Sequence, residues 1–163
     1  MRRKKIKETF VIGHRDLVDL PELALFGLPC KIDTGAATSA IHCRHVRVRE
    51  VNGVSRINFT LLDPSHAEYN GREYSTTNFQ ERKIKSSFGQ TEYRYVITSV
   101  AVLFGRSFTT EFTLSDREKM TYPVLLGKRL LRRGFLVDVS KINLSYKAMR
   151  AANPKSPGED QSV

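Results

Sequence analysis

Only one stretch of this chain, residues 125–133, reads as a helix; the rest of residues 9–146 is a succession of short strand-like runs divided by turn residues. Thr9-Phe10-Val11-Ile12-Gly13 reads as a first strand. Leu17-Val18-Asp19-Leu20 is a second, halted by Pro21, whose ring fixes φ and removes a backbone donor. Leu28-Pro29-Cys30-Lys31-Ile32 runs directly into Asp33-Thr34-Gly35-Ala36. Residues 40–50 alternate, with Ile41, Val46 and Val48 as apolar members. Asn52-Gly53 then supplies a tight hairpin turn into a returning strand at 55–62. Residues 63–78, opened by Asp63-Pro64 and holding Asn70-Gly71, read as a loop or insertion. Runs at 80–85 and 91–98 flank Ser86, Ser87, Phe88 and Gly89 and predict a second hairpin, polar on both faces. Another strand pair, 99–104 and 108–114, surrounds Gly105-Arg106. The helix at 125–133 ends at Gly134 in the C′ position, and 135–139 and 142–146 close the chain as strands. Many short strands with one short, late helix predict an all-β fold, a closed barrel or a sandwich.

Length places this pattern in one domain, since 163 residues is about one ordinary domain's worth of chain. With 40 % hydrophobic and 27 % charged residues the composition is that of a soluble globular protein. No apolar stretch approaches the roughly 18 residues of a membrane span. Residues 1–8 form a basic arm resembling the start of a signal peptide. The apolar segment that should follow is interrupted by Glu8, His14, Arg15 and Asp16, so a cytoplasmic location is expected. Residues 9–150 are the expected domain, and 151–163 a Pro/Gly/polar tail expected to be disordered. Cys30 and Cys43 are read as free thiols. The formal charge of +10 is dispersed over the arm, residues 44–49 and residues 128–133. It suits a solvated surface that steers acidic partners; no aromatic-interleaved motif accompanies it, which disfavours nucleic acid.

The segment with chemical content is Asp33-Thr34-Gly35-Ala36, followed by Thr38 and Ser39. Alone, Asp-Thr-Gly also describes a plain turn, with Asp capping and Gly adopting a positive φ. A carboxylate on a tight loop after an apolar strand is, equally, what an aspartic protease needs. The loop projects the acid into a cleft, glycine lets backbone and substrate approach, and the threonine hydroxyl can reach a partner loop. Two such carboxylates at close range cannot both ionise, so one serves as base toward water and the other as acid.

Several ordered motifs make a resemblance specific. Lys31-Ile32-Asp33-Thr34-Gly35-Ala36-Ala37-Thr38-Ser39-Ala40-Ile41-His42 resembles the active-site segment of bacterial retropepsin-like aspartic proteases. That group also carries the label of ATP-dependent zinc proteases linked to an ATP-grasp glutamate ligase. The resemblance extends through Val11-Ile12-Gly13-His14-Arg15-Asp16, Arg82-Lys83-Ile84-Lys85, and Tyr122-Pro123-Val124-Leu125-Leu126-Gly127-Lys128-Arg129. It implies a retropepsin-like closed barrel with Asp33 as catalytic residue. Thr34, Gly35, Ala36, Thr38 and Ser39 would form the active-site and substrate-binding loop, and Leu125, Leu126 and Gly127 would pack beneath it. Ser86, Ser87, Phe88 and Gly89 would be the tip of a flap. One Asp-Thr-Gly per chain is half a site, so the resemblance implies a homodimer acting on a protein or peptide substrate, acidic or glutamate-modified. A retropepsin-fold binding or regulatory protein working with a glutamate ligase is the alternative. The chain departs from the group at Ala37, where a basic residue is usual.

The zinc and ATP labels find little support in the residues. His42-Cys43-Arg44-His45 is the obvious cluster, but residues 42 and 45 point to opposite faces of a strand unless a bulge intervenes, and His14 and His66 stand isolated. No His-Glu-x-x-His and no P-loop occurs. A cysteine protease built on Cys43 with His42 or His45 lacks a third, orienting group. No cofactor and no metal are assigned.

Overall fold

The computed structural model describes residues 8–85, 89–116 and 121–154. In chain order the strands are β1 (Phe10–Ile12), β2 (Arg15–Leu20), β3 (Leu25–Ile32), β4 (Ser39–Val51), β5 (Val54–Leu61), β6 (Glu73–Thr76), β7 (Phe79–Lys85), β8 (Thr91–Leu103), β9 (Arg106–Ser115), β10 (Val124–Leu126) and β11 (Phe135–Val137). Two helices follow the late strands, α1 (Lys128–Leu131) and α2 (Leu144–Ala152).

The main sheet runs β10-β3-β2-β8-β9-β4, and β4 pairs back onto β10, so these strands close a ring. The short β10 makes that closure possible. It is parallel to β3, with Leu126 opposite Ile32, and antiparallel to β4, with Val124 opposite Ile41. All three of its residues are buried, as a continuous apolar run pressed between two neighbours requires. Leu20, Leu28, Ile41, Leu103, Phe112, Leu126 and Leu130 fill the interior. Ring closure removes the open edges that a free sheet of this size would expose.

Two long strands leave the ring. β4 is buried from Ser39 to Cys43 and exposed along most of its outer half, where it forms a hairpin with β5. The turn is Asn52-Gly53, both with positive φ (53° and 78°), the conformation that pair of residues predicts for a two-residue loop. β8 likewise carries β7 on its outer half, with Lys85 opposite Thr91. The tip of this hairpin at 86–88 lies outside the described residues.

The structure corrects several local readings. Residues 91–98 and 99–104 do not form separate elements; most of that span is the single strand β8. The 63–78 insertion contains β6, which adds to β5 through Glu73 opposite Thr60. The carboxylate of Glu73 takes hydrogen bonds from Arg47 and Asn58, cross-strand partners invisible in the local pattern. The stretch 125–133 divides into β10 and a helix of four residues. Residues 142–146 do not continue as a strand: α2 begins at Leu144 and runs through residues 151 and 152, which were assigned to the tail. The reason lies far away in sequence. Buried Asp16 accepts hydrogen bonds from the amides of Ser145 (2.9 Å) and Tyr146 (3.1 Å), capping the first turn that the local residues leave uncapped. The Ser145 hydroxyl in turn accepts the Phe104 amide at 2.8 Å, fixing α2 against the end of β8.

Candidate active site

Asp33 stands one residue beyond β3, where the strand is anchored on both sides. The Ile32 amide donates to the His14 carbonyl and the Asp33 amide to the Leu126 carbonyl, both at 2.9 Å. The chain then turns back on the Asp33 carboxylate. Oδ1 accepts the amides of Gly35 (2.9 Å) and Ala36 (3.2 Å), so the acid helps to shape its own loop. A Cβ on Gly35 would lie 3.2 Å from that same oxygen, which explains why the closest approach falls on a glycine. Among the described residues Oδ2 takes no hydrogen bond, and Asp33 is only partly buried. One carboxylate oxygen is thus held and the other is presented.

The far side of the loop is clamped to β10 and α1. The amides of Lys128 and Arg129, at the start of α1, donate to the carbonyls of Ala36 (2.7 Å) and Ala37 (3.1 Å). Buried Ser39 accepts the Gly127 amide on its hydroxyl at 3.0 Å, while its carbonyl accepts Thr113 Oγ1 at 3.3 Å. Gly127 has an extended backbone that any residue adopts (φ −102°), so conformation does not require glycine here. Space does. An added Cβ would lie 2.8 Å from the Thr38 carbonyl carbon and 2.9 Å from the carbonyl oxygens of both Ala36 and Thr38. Leu125 and Leu126 are buried on the strand that carries this glycine. Thr34 is exposed, Thr38 half-buried, and Ala37 exposed at the loop's outer surface.

The β7–β8 hairpin is tied to the same neighbourhood by charge. Glu111 on β9 receives Arg82 of β7 through both carboxylate oxygens (2.7 and 3.2 Å) and Arg129 of α1 at 2.9 Å. Arg82 is the main reason the Glu111 carboxyl sits below its ordinary range, with Arg129 adding to it. Sequence reading missed this hub, because its three members lie on three elements with no common spacing. Gly89 is exposed at the base of the tip, with φ 77°.

A second polar cluster lies on β4 just beyond the loop. His42 is fully buried, with Nε2 2.8 Å from Asp63 Oδ2 and Nδ1 3.6 Å from Asp116 Oδ1. His66, isolated in the sequence, is brought within 3.3 Å of Asp63 Oδ2. That placement corrects the sequence reading, which looked instead to His45. A bulge does interrupt β4 between Arg44 and Arg47, and His45 has a positive φ of 56°, yet the group that forms is His42, Asp63 and His66. The two cysteines are buried free thiols. Burial is the first cause raising both, with Cys43 pushed up to about 12 and Cys30 higher still, which leaves neither as a ready nucleophile.

A ring-closed β fold with an Asp-Thr-Gly loop clamped between an apolar strand and a short helix defines a retropepsin-like protein. The family model of RimB-like proteins, described as retropepsin-like aspartic endopeptidase RimB, matches residues 11–148, and the chain belongs to that family. Among curated proteins, one from Shewanella pealeana named "Probable alpha-L-glutamate ligase" is 35 % identical over 136 residues, 81 % of this chain and 29 % of its own length. One of the same name from Parasynechococcus marenigrum is 30 % identical over 132 residues, covering 78 % of this chain and 28 % of its own. The chain therefore spans less than a third of these relatives. A solved Legionella pneumophila protein of unknown function, Lpg0085, superposes with a TM-score of 0.61 at 21 % identity, over 83 % of this chain and 97 % of that one, a likeness of fold. No helix among the described residues is long and apolar enough to cross a membrane.

Proposed function

We propose that this protein is an aspartic endopeptidase whose site is completed by a second copy of the chain, with Asp33 supplied by each. The observation that carries this reading is the Asp33 carboxylate itself: Oδ1 is fixed by the Gly35 and Ala36 amides and Oδ2 takes no hydrogen bond among the described residues. The chain has a single Asp-Thr-Gly, so a two-carboxylate site needs the same loop from a partner, which two-fold symmetry would provide. The pair would hold one proton between them. The ionised carboxylate takes a proton from water as its oxygen attacks the peptide carbonyl carbon, and the protonated one gives its proton to the carbonyl oxygen. Collapse of the tetrahedral species breaks the C–N bond, with a proton returned to the leaving nitrogen.

In this reading the β7–β8 hairpin closes over the bound peptide. Its outer half carries little apolar surface, so opening costs little. The basic surface favours acidic substrates, and relatives named as glutamate ligases point to glutamate-bearing tails.

The test pairs sedimentation with cleavage of peptides that carry or lack a glutamate tail. A dimer whose cleavage is inhibited by pepstatin and lost in Asp33→Asn is expected; full activity from a strict monomer would overturn it. The coverage of less than a third of the ligase-named relatives also favours a second reading, a non-catalytic module that acts with a glutamate ligase. That reading expects the Asp33→Asn protein to retain its effect on the ligase.

A further inference from the structure

We propose that His42, Asp63 and His66 form a binding site for one divalent transition cation of the zinc type, separate from the Asp33 loop. The three donor atoms lie within 4.8 Å of one another, and each residue is buried or nearly so. Two imidazole nitrogens and one carboxylate oxygen are a ligand set suited to zinc, whereas calcium and magnesium call for oxygen ligands.

Asp63 Oδ1 is occupied by the amide of Ser65 (2.8 Å) and by its hydroxyl, so Oδ2 is the oxygen turned to the histidines. His66 Nδ1 accepts the Asp63 amide at 3.3 Å. The same nitrogen lies 3.3 Å from Oδ2, and ligating a cation there requires its single lone pair to turn from that long amide contact toward the ion. On the other side, His42 Nδ1 faces the Asp116 carboxylate at 3.6 Å. A carboxylate on the outer nitrogen of a ligating imidazole sets its tautomer and directs the Nε2 lone pair at the metal.

The distances say how much must move. Ligands about 2.0–2.1 Å from a tetrahedral ion stand about 3.3 Å apart. The Oδ2–His66 edge already has that length, and the Oδ2–His42 edge of 2.8 Å must open by about 0.5 Å. His66 has the most exposed side chain of the three (13 %) and opens from a connector, not a strand, so it is the member free to adjust. The competing arrangement is a buried imidazolium on His42 shared between Asp63 and Asp116, which needs no metal. A bound cation would fasten the start of the 62–72 connector to β4, beside the Pro123 carbonyl that accepts the His42 amide. It would thereby stiffen the strand that leaves the active-site loop.

The experiment is zinc binding by the full chain, stripped of metal and of any affinity tag, against a chromophoric competitor, with melting followed in parallel. The expected result is one ion per chain and a rise in melting temperature of about 5–10 °C at a hundredfold excess over Kd. His66→Ala, which removes a side chain carried by the 62–72 connector and not by a strand, is expected to fold and to lose about hundredfold or more in affinity. Cys43→Ser and His45→Ala are expected to bind as the parent does. Cobalt in place of zinc is expected to give tetrahedral ligand-field bands without thiolate charge transfer. Absence of stoichiometric binding, binding unchanged by His66→Ala and Asp63→Asn, or a thiolate band that disappears in Cys43→Ser would each overturn the assignment.

Discussion

Gly127→Ala separates the packing beneath the active-site loop from the backbone strain that a glycine change often brings. Position 127 has φ −102°, so alanine meets no backbone penalty, and the cost is contact, offset by about 0.4–1 kcal/mol from the stiffer unfolded chain. The new Cβ would stand 2.8–2.9 Å from three backbone atoms of residues 36 and 38, none of which is the movable end of a side chain. Restoring an ordinary contact of 3.4 Å requires the loop and β10 to separate by about 0.6 Å, the difference between that distance and the closest approach. Overpacking of this kind costs about 1–3 kcal/mol, which in a domain of this size lowers the melting temperature by about 3–10 °C. The same separation pulls the Lys128 and Arg129 amides from the Ala36 and Ala37 carbonyls, so both amides should exchange with solvent faster than in the parent. Gly27→Ala is the control, because that position has φ 63° and nothing within 4 Å of a new Cβ. It should cost about 1–2 kcal/mol through left-handed backbone strain and leave exchange at 128 and 129 unchanged. If Gly127→Ala melts with the parent and protects those two amides equally, the claim that this glycine seats the loop is wrong.

Asp33→Asn keeps an oxygen for the Gly35 and Ala36 amides but cannot share a proton, so the melting temperature should hold while kcat/KM falls by about 10³–10⁴ or more in peptide cleavage assays. Asp16→Ala should remove the cap of α2 and strand the Ser145 and Tyr146 amides, a loss of about 2–4 kcal/mol in denaturant unfolding; a loss below 0.5 kcal/mol would refute the capping argument. Asp63 is held down at about 2, first by the Ser65 hydroxyl and then by the Ser65 amide and His42. Its folded value is depressed, so its contribution to stability is present above about pH 4 and is lost as the pH falls toward 2. Ser65→Ala should therefore move the acid-unfolding midpoint to higher pH, and an unchanged carboxyl titration by NMR would count against that cause. Arg82→Gln removes a partly exposed ion pair to Glu111, so stability should change by less than about 1 kcal/mol; the flap reading expects a larger loss in kcat/KM than in stability.

Most of the longer strands, the Asn52-Gly53 turn and the Asp33 loop were legible in the sequence because each rests on neighbours along the chain. Alternation marks a half-buried strand, an Asn-Gly pair selects a two-residue hairpin, and an apolar run before Asp-Thr-Gly announces a buried strand ending at a turn. What the sequence could not decide was which distant groups would meet. Local residues at 142–146 suit a strand, and the helix there depends on Asp16, which occupies the amides of its first turn from the opposite end of the chain. His66 looked solitary because its approach to His42 depends on the β4–β5 pairing that sets Leu62 beside His42 and on the turn at 63–66, and neither follows from spacing. Gly127 could be placed before a short helix from pattern alone. Its need to be glycine arises only once ring closure has brought β10 against the carbonyls of Ala36 and Thr38, because steric exclusion between segments ninety residues apart is a property of the tertiary structure.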